Sequence, residues 1–355
     1  MKKIILTGGG TAGHVIPNLA LIPSLKDKGY EIHYIGSHTG PERDLAEAEG
    51  LPFYGISSGK LRRYFDLKNI TDIFRVAKGL GDALKIIKKI KPDIVFSKGG
   101  FVVVPVIAAA RLCGVRVIIH ESDITPGLAN RLVMPFSNKI CVSFPETIEF
   151  LPQKMRKKAV LTGTPIRRNL SDGDRLYGIK SSGLSVGEKP ILLVTGGSQG
   201  AAAINTCVRE ALPQLTQKFQ IIHLCGRGNL SGIKDKNYAE FEYLSDTMPD
   251  ALAAADIVLS RAGANTIFEL LALKKPHLLI PLPKGKSRGD QIQNAESFEK
   301  QGLSLVLQEE KMTATSLYET LISLYNTREN YINTMAAHMQ NDGITKIMQT
   351  VDVLV

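Results

Sequence analysis

Short unbroken apolar runs alternate along the chain with glycine-rich turns and with segments whose apolar residues recur every three to four positions. Residues 2–7 form such a run, residues 8–13 are a glycine loop, residues 14–26 carry helical spacing, and residues 31–36 are apolar again. Residues 190–226 repeat that order, with a strand over 191–195, the loop Gly196-Gly197-Ser198-Gln199-Gly200, a helix over 201–215 and a strand over 220–226. Strand, glycine turn, helix and strand build parallel doubly wound sheets, because a parallel pair needs a crossover connection. Two such starts predict an α/β chain of two Rossmann-like domains facing a cleft. Residues 162–190 are rich in Gly, Ser, Asp and Pro, which puts the boundary near Gly163. The expected domains are 1–163 and 164–355, with the last helices packing back on the first domain.

Further strand-loop-helix units fill each half. Residues 93–96 run into Ser97-Lys98-Gly99-Gly100, and residues 115–120 run into Glu121-Ser122-Asp123. In the second half, residues 257–259 lead to Ser260-Arg261-Ala262-Gly263-Ala264-Asn265-Thr266, and residues 277–281 lead to a polar glycine loop. All of these loops follow the carboxyl ends of strands, the edge where open parallel sheets bind ligands.

Length agrees with this division, since 355 residues with 44% hydrophobic content exceed one ordinary core. The four cysteines form no CxxC pair and no zinc spacing, which favours a reducing compartment. Only three apolar residues follow Met1-Lys2-Lys3 before Thr7, too few for an export signal, and the ten-residue apolar stretch 101–110 contains Pro105, too short to span a bilayer. The net charge of +10 changes the picture more. Between Lys60 and Pro92 stand ten bases against Asp66, Asp72 and Asp82. Ile70, Ile73, Phe74, Ala77, Leu80, Leu84, Ile87 and Ile90 recur there at helical spacing, so the bases decorate amphipathic helices. Such a face either rests on anionic headgroups or is simply solvated. No interleaved aromatics or nucleic-acid motif accompanies it, and nucleic acid is not expected as a partner.

The loops supply the candidate chemistry. Gly8, Gly10 and Gly13 match G-x-G-x-x-G after a strand, which suits a phosphate at a helix amino terminus or tight strand-helix packing. A dinucleotide site also wants an acidic residue ending the second strand, and Gly36-Ser37-His38 stands there instead, so a dinucleotide-dependent oxidoreductase is the alternative reading. Asn265 and Thr266 are expected to cap a helix whose free amides meet a diphosphate, with Glu269 one turn on to accept ribose hydroxyls. Arg167, beside Arg168, offers a guanidinium to phosphate. Asp290, Gln291 and Asn294 share one face of a helix start, a cradle for sugar hydroxyls or a simple cap. Asp172-Gly173-Asp174 spells D-x-D but lies in the polar linker, where a turn is expected and no metal. His14 is the main candidate base, because the positive end of a helix keeps its imidazole neutral; packing or capping is the alternative role, and Glu121 is the rival base.

Seven ordered motifs share a further property. Gly8-Gly9-Gly10-Thr11-Ala12-Gly13-His14, Ser97-Lys98-Gly99-Gly100-Phe101, His120-Glu121-Ser122-Asp123, Gly163-Thr164-Pro165-Ile166-Arg167, Gly196-Gly197-Ser198-Gln199-Gly200, residues 261–269 and Asp290-Gln291-Ile292-Gln293-Asn294 together resemble the MurG family. These are UDP-N-acetylglucosamine transferases that make the second lipid intermediate of bacterial peptidoglycan, glycosyltransferases of the GT-B type. The resemblance spans nearly the whole chain. It implies that Ser198 and Arg167 lie near the donor diphosphate, Leu244 and Ala264 beside uracil, Asn265 and Thr266 near phosphate, Glu269 on the ribose and Gln291 on the sugar. It implies that Thr11, Ala12, Gly13 and Asp123 also reach the donor, that Gly9, Gly10, Lys98, Gly99 and Gly100 face the lipid diphosphate acceptor, and that His14 is the base. Many relatives carry Gln-Asn where Ser122-Asp123 stands here, and glycine where Ala12 stands. The implied partners are UDP-GlcNAc, an undecaprenyl-diphosphate-linked muramyl peptide and an anionic membrane surface, met peripherally at the cytoplasmic face of the cell membrane. No cofactor and no metal are implied. The alternative within the same fold is transfer to another lipid, such as diacylglycerol.

Overall fold

The strands are apolar at successive positions because both faces of each sheet are covered. In the computed structural model, which describes residues 1–59, 68–197, 200–285, 287–338 and 342–355 and the side chains of all but 68–73 of these, two fully parallel sheets account for all the named strands. The first contains β1 (Lys3–Thr7), β2 (Glu31–Ser37), β3 (Phe53–Ile56), β4 (Ile94–Ser97), β5 (Arg116–Glu121), β6 (Lys139–Val142) and β7 (Ala159–Leu161), in the order β3-β2-β1-β4-β5-β6-β7. The second contains β8 (Ile191–Thr195), β9 (Gln220–Leu224), β10 (Tyr238–Phe241), β11 (Ile257–Ser260), β12 (His277–Leu279) and β13 (Leu305–Val306), in the order β10-β9-β8-β11-β12-β13. The doubly wound α/β fold expected from the sequence is the one observed.

Neighbouring strand residues go to opposite faces of the first sheet. Ile5, Ile35, Val95, Ile119 and Val142 meet the helices Lys68–Ile90 and Val103–Leu112. Ile4, Leu6, Tyr34, Phe96 and Cys141 face the other way, where they meet Val15, Leu25 and the helix Gly343–Leu354 through Ile344, Ile347, Met348 and Val351. The chain accordingly divides into two compact units, Met1–Arg167 with Asn341–Val355, and Arg168–Gln340. In the second unit Leu192, Val194, Ile221 and Leu259 pack with the helices Ala202–Lys218 and Ala314–Asn326.

In each sheet the winding reverses between the first strand and the strand added on its other side, β1 and β4 in one and β8 and β11 in the other. A gap between diverging crossovers opens at that point, beyond the carboxyl ends of the strands. The loops after β1, β4, β8 and β11 therefore occupy the ligand-binding edge in both units.

Two local expectations are corrected. The helix expected over residues 14–26 is broken into Ala12–Leu19 and Ile22–Asp27, because Pro23 in the first turn of the second piece denies Leu19 its intrahelical partner. The basic segment's helix is single over its described part, Lys68–Ile90, with Gly79, Ala83, Ile87 and Ile90 buried and Arg75, Lys78, Lys85, Lys88 and Lys89 exposed. Phe74, counted with the apolar stripe, is 72% exposed beside Arg75. Among the described residues no helix is long and apolar enough to cross a membrane.

The packing of Gly343–Leu354 yields a stability prediction. Ile347 is fully buried against β-strand side chains of the first unit, so Ile347→Ala lowers unfolding free energy by about 2–5 kcal/mol. Urea denaturation checks this, and a loss below about 1 kcal/mol contradicts the core assignment.

Candidate functional site

In the first unit β1 delivers the chain into residues 8–11 and then directly into the helix Ala12–Leu19. Thr11 is its N-cap in an extended conformation, and no side chain caps the first turn, which leaves that end suited to anions. His14 enters on this turn. Its Nδ1 lies 3.1 Å from the Gly9 carbonyl oxygen and 3.3 Å from Thr11 Oγ1. A carbonyl oxygen only accepts, so this contact selects the tautomer protonated at Nδ1 and puts the lone pair on Nε2. His14, Gly9, Gly10, Thr11, Gly100 and Arg75 line a cavity of about 600 Å³.

The glycine loop is held from two sides. From β4, Gly99 accepts from Gly9 N at 3.2 Å, and Gly100, at φ +87°, passes so close that a Cβ on it would stand 2.2 Å from the Gly9 carbonyl oxygen. From below, the fully buried Glu42 accepts from Gly10 N at 3.1 Å and from Ser37 N and Oγ at 2.8 and 2.5 Å. Glu42 escaped the sequence reading. Its signal was an acidic residue after Gly40-Pro41 at a helix start, a place where a carboxylate finds backbone amides.

Lys98 departs from expectation. Its side chain is 1% exposed, and Nζ lies 2.7 Å from His120 Nδ1 and 2.5 Å from Ser122 Oγ. The ammonium is therefore held in the protein interior by these two partners. Burial pushes its pKa down to about 7, against the opposing pull of Glu121 and Asp123. His120 donates from Nε2 to the Gly163 carbonyl at 2.9 Å, and burial, followed by the Lys98 charge, holds its imidazole well below the usual range. Glu121 is unsuited to the rival base role. Its carboxylate accepts from Ser122 N, Asp123 N, Gly127 N and Asn130 Nδ2 at 2.9–3.1 Å, and it organises the turn that follows β5. Asp123 is half-buried on that turn. Ser122 accepts from Lys98 and Asp123 faces its charge.

In the second unit the helix Ala264–Ala272 starts at the end of β11. Its N-cap is Gly263, extended at φ −69° and ψ 133°, and no side chain caps it. Asn265 and Thr266, expected as caps, lie inside the first turn instead, because the cap position needs the non-helical backbone that Gly263 supplies. Ala264 is buried, and Glu269 follows Thr266 at i+3 on the half-buried side. Arg261 fastens the loop from beneath, donating to the Ile280 carbonyl at 3.1 Å and pairing with Glu309 at 2.5 Å. This brace was also missed, since Glu309 is distant in sequence.

The helix Asp290–Lys300 has Gly289 as its N-cap, so Asp290 is not the cap. Gln291 Oε1 accepts from Leu282 N at 3.0 Å, and Asn294 Nδ2 donates to the Ala262 carbonyl at 3.3 Å, which ties this helix to both neighbouring loops. Leu244 is half-buried just after β10. Arg167, the last residue of the first unit's main segment, keeps its buried Nε without a hydrogen-bond partner. Ser198 lies outside the described residues. Asp174 accepts from Tyr177 N at 3.0 Å and caps the helix Arg175–Ser181, where a turn was expected for that D-x-D. Among the described residues no group of three or more His, Cys, Asp or Glu is placed to hold a metal.

Residues 4–142 match the glycosyltransferase family 28 N-terminal domain, and residues 191–351 match the glycosyltransferase family 28 C-terminal domain. A UDP-N-acetylglucosamine--N-acetylmuramyl-(pentapeptide) pyrophosphoryl-undecaprenol N-acetylglucosamine transferase of Clostridium botulinum (strain 657 / Type Ba4) is 57% identical over 353 residues, 99% of either chain. A relative of the same description from Lachnoclostridium phytofermentans is 53% identical over 354 residues, again 99% of each. The crystal structure of Acinetobacter baumannii MurG superposes with a TM-score of 0.76 at 26% identity over 99% of both chains.

Lys98 generates a pH prediction. In the unfolded chain a lysine titrates near 10.4, whereas the folded ammonium releases its proton near 7. Between those values the unfolded state binds the extra proton, so stability rises with pH across the window and stays at its lower level below it. Measured by urea denaturation, the native chain gains stability relative to Lys98→Met between about pH 6.5 and 9.5, by more than about 1 kcal/mol, on the order of a tenfold change in proton affinity. Parallel pH profiles for the two proteins contradict this.

Proposed function

The chain belongs to glycosyltransferase family 28, and from that membership we infer that it transfers N-acetylglucosamine from UDP-GlcNAc to the muramyl sugar of an undecaprenyl-diphosphate-linked peptide, inverting the linkage. The observation that carries the chemistry is the anchoring of His14 Nδ1 on the Gly9 carbonyl, at the wall of the glycine-loop cavity. Nε2 then takes the proton of the acceptor sugar hydroxyl as its oxygen attacks the anomeric carbon. The bond from that carbon to the diphosphate breaks, and UDP leaves with the electron pair. The uncapped start of Ala264–Ala272 is suited to receive the growing negative charge, and the guanidinium of Arg167 is suited by its own chemistry to the same task. Glu269 is suited to accept both ribose hydroxyls, Leu244 and Ala264 to flank uracil, and Gln291 to offer its Nε2 amide to the sugar while Oε1 stays on Leu282. Residues 11–13 present helix-start amides to the donor, and Gly9, Gly10, Gly99 and Gly100 present backbone to the acceptor diphosphate. Lys98 acts from behind that backbone.

We further infer that the enzyme works at the cytoplasmic face of the cell membrane, held peripherally. The helix Lys68–Ile90 supports this by exposing Phe74 among Arg75, Lys78, Lys85, Lys88 and Lys89, an apolar wedge within a basic field.

Three measurements test these readings. With UDP-GlcNAc and the lipid-linked muramyl peptide, the product is the disaccharide lipid; transfer from UDP-glucose to diacylglycerol alone overturns the assignment. His14→Ala lowers kcat by about 10²–10⁴ while calorimetry shows UDP binding retained, and Glu269→Ala weakens UDP by about 1.5–3 kcal/mol. Unchanged turnover removes His14 from the mechanism. Vesicles rich in anionic lipid sediment the protein at low salt, and reversing Lys85, Lys88 and Lys89 to Glu weakens that binding by about 1 kcal/mol or more per residue; equal binding to neutral vesicles contradicts the electrostatic part.

A further inference from the structure

One buried chain of hydrogen bonds in the first unit lies outside the transfer steps above. Lys98 follows β4, and its backbone amide stays on the Thr7 carbonyl at 2.9 Å, so the residue belongs to the rigid edge of the sheet. The next two residues press on the loop that carries His14, and a Cβ at Gly99 would stand 3.6 Å from His14 Cδ2. In the other direction Lys98 donates to His120 Nδ1, and His120 donates from Nε2 to the Gly163 carbonyl, which Thr162 Oγ1 also meets at 2.9 Å. Gly163 turns the chain with φ +79°, and Thr164 is pinned by Ser143 at 2.7 Å before the chain reaches Arg167.

His120 is the link whose state must be fixed. It is fully buried, and a neutral imidazole has one donor and one acceptor nitrogen. The Gly163 carbonyl takes the donor, which leaves the buried Nδ1 as an acceptor that wants a hydrogen bond. Lys98 supplies it. The groups facing the ammonium are His120, Ser122, the carboxylates of Glu121 and Asp123, and the Cys141 thiol. Glu121 is already saturated by four donors, so the ammonium remains directed at His120 and Ser122.

We propose that Lys98 is a positioning residue of the transfer reaction: by donating to Ser122 and to the bare Nδ1 of His120 it holds the ring that bonds Gly163 and so locks the loop beside His14 to the segment that ends in Arg167. The base and the guanidinium that meets the leaving diphosphate then keep one spacing within the first unit. This inference rests on the glycosyl-transfer reading, and its experiment separates the two.

Lys98→Met keeps volume and removes the donors. Steady-state transfer per UDP-binding site, counted by calorimetric titration, falls about ten- to a hundredfold in kcat, the scale of a small misplacement of catalytic groups, while the KM for UDP-GlcNAc and the Kd for UDP stay within about twofold. Ser122→Ala, which removes one arm, lowers kcat only about threefold. The imidazole ¹⁵N spectrum of the native protein shows His120 protonated at Nε2 with a bare, hydrogen-bonded Nδ1 through neutral pH, and in Lys98→Met the Nδ1 resonance moves to that of an unbonded nitrogen. A kcat per site within about twofold of native, or a fall in kcat matched by an equal loss of UDP affinity, overturns the proposal. If Lys98→Met does not fold, the native spectrum and Ser122→Ala decide, and a proton on His120 Nδ1 or an unaltered kcat in Ser122→Ala overturns it. A native protein that transfers no N-acetylglucosamine fails the underlying function instead.

Discussion

Parallel pairing imposes the constraint from which the rest of the molecule follows. Each crossover returns over a sheet face, so both faces are covered and the strands must be apolar at every position. Polar chemistry is left to the strand ends, and the reversal of winding between β1 and β4, and again between β8 and β11, opens the edge at one place in each unit. Both candidate half-sites stand there. The fold dictates that they be built from loops and helix starts, whose amides have no partner within the helix.

Loops of this kind need bracing, and here the braces are buried ions. Glu42 lies under the first glycine loop, Lys98 and Glu121 under the loops after β4 and β5, and Arg261 with Glu309 under the loop after β11. Glu42, Lys98 and Glu121 are each satisfied by two or more hydrogen bonds, and Arg261 by two carbonyls besides its ion pair with Glu309, as a charge removed from water requires. The division of labour is consistent across both units: these charged side chains work from within, and the loops and helix starts above them present largely backbone.

This division explains what was legible in the sequence. Strands, glycine loops and the repeated unit were readable because period and turn residues are local signals, and His14 and Glu269 stood out because their neighbours set their position on a helix start. Lys98 was placed toward the acceptor by the resemblance alone, and its buried partners were not legible because His120 and Ser122, more than twenty residues on, are brought against it only by the fold. Glu42 and the pair Arg261–Glu309 depend likewise on contacts between distant segments. Glu121 looked like a base because the sequence does not reveal the four donors that surround it. The misplaced caps have a smaller cause: Asn265 and Thr266 have the chemistry of caps, but Gly263 takes the extended backbone first. The break at Pro23 was visible in principle and was overridden by apolar spacing.

The helix Gly343–Leu354 closes an apolar face made by strands from the first hundred and fifty residues. During synthesis that face emerges from the ribosome early and waits, covered only in part by the early helices, while the whole second unit is translated. The second unit, an uninterrupted stretch, is able to finish folding before the first. Chaperone occupancy, or sensitivity of the nascent chain to aggregation, is therefore concentrated on the segment made first, an inversion of the usual amino-to-carboxyl order of domain completion.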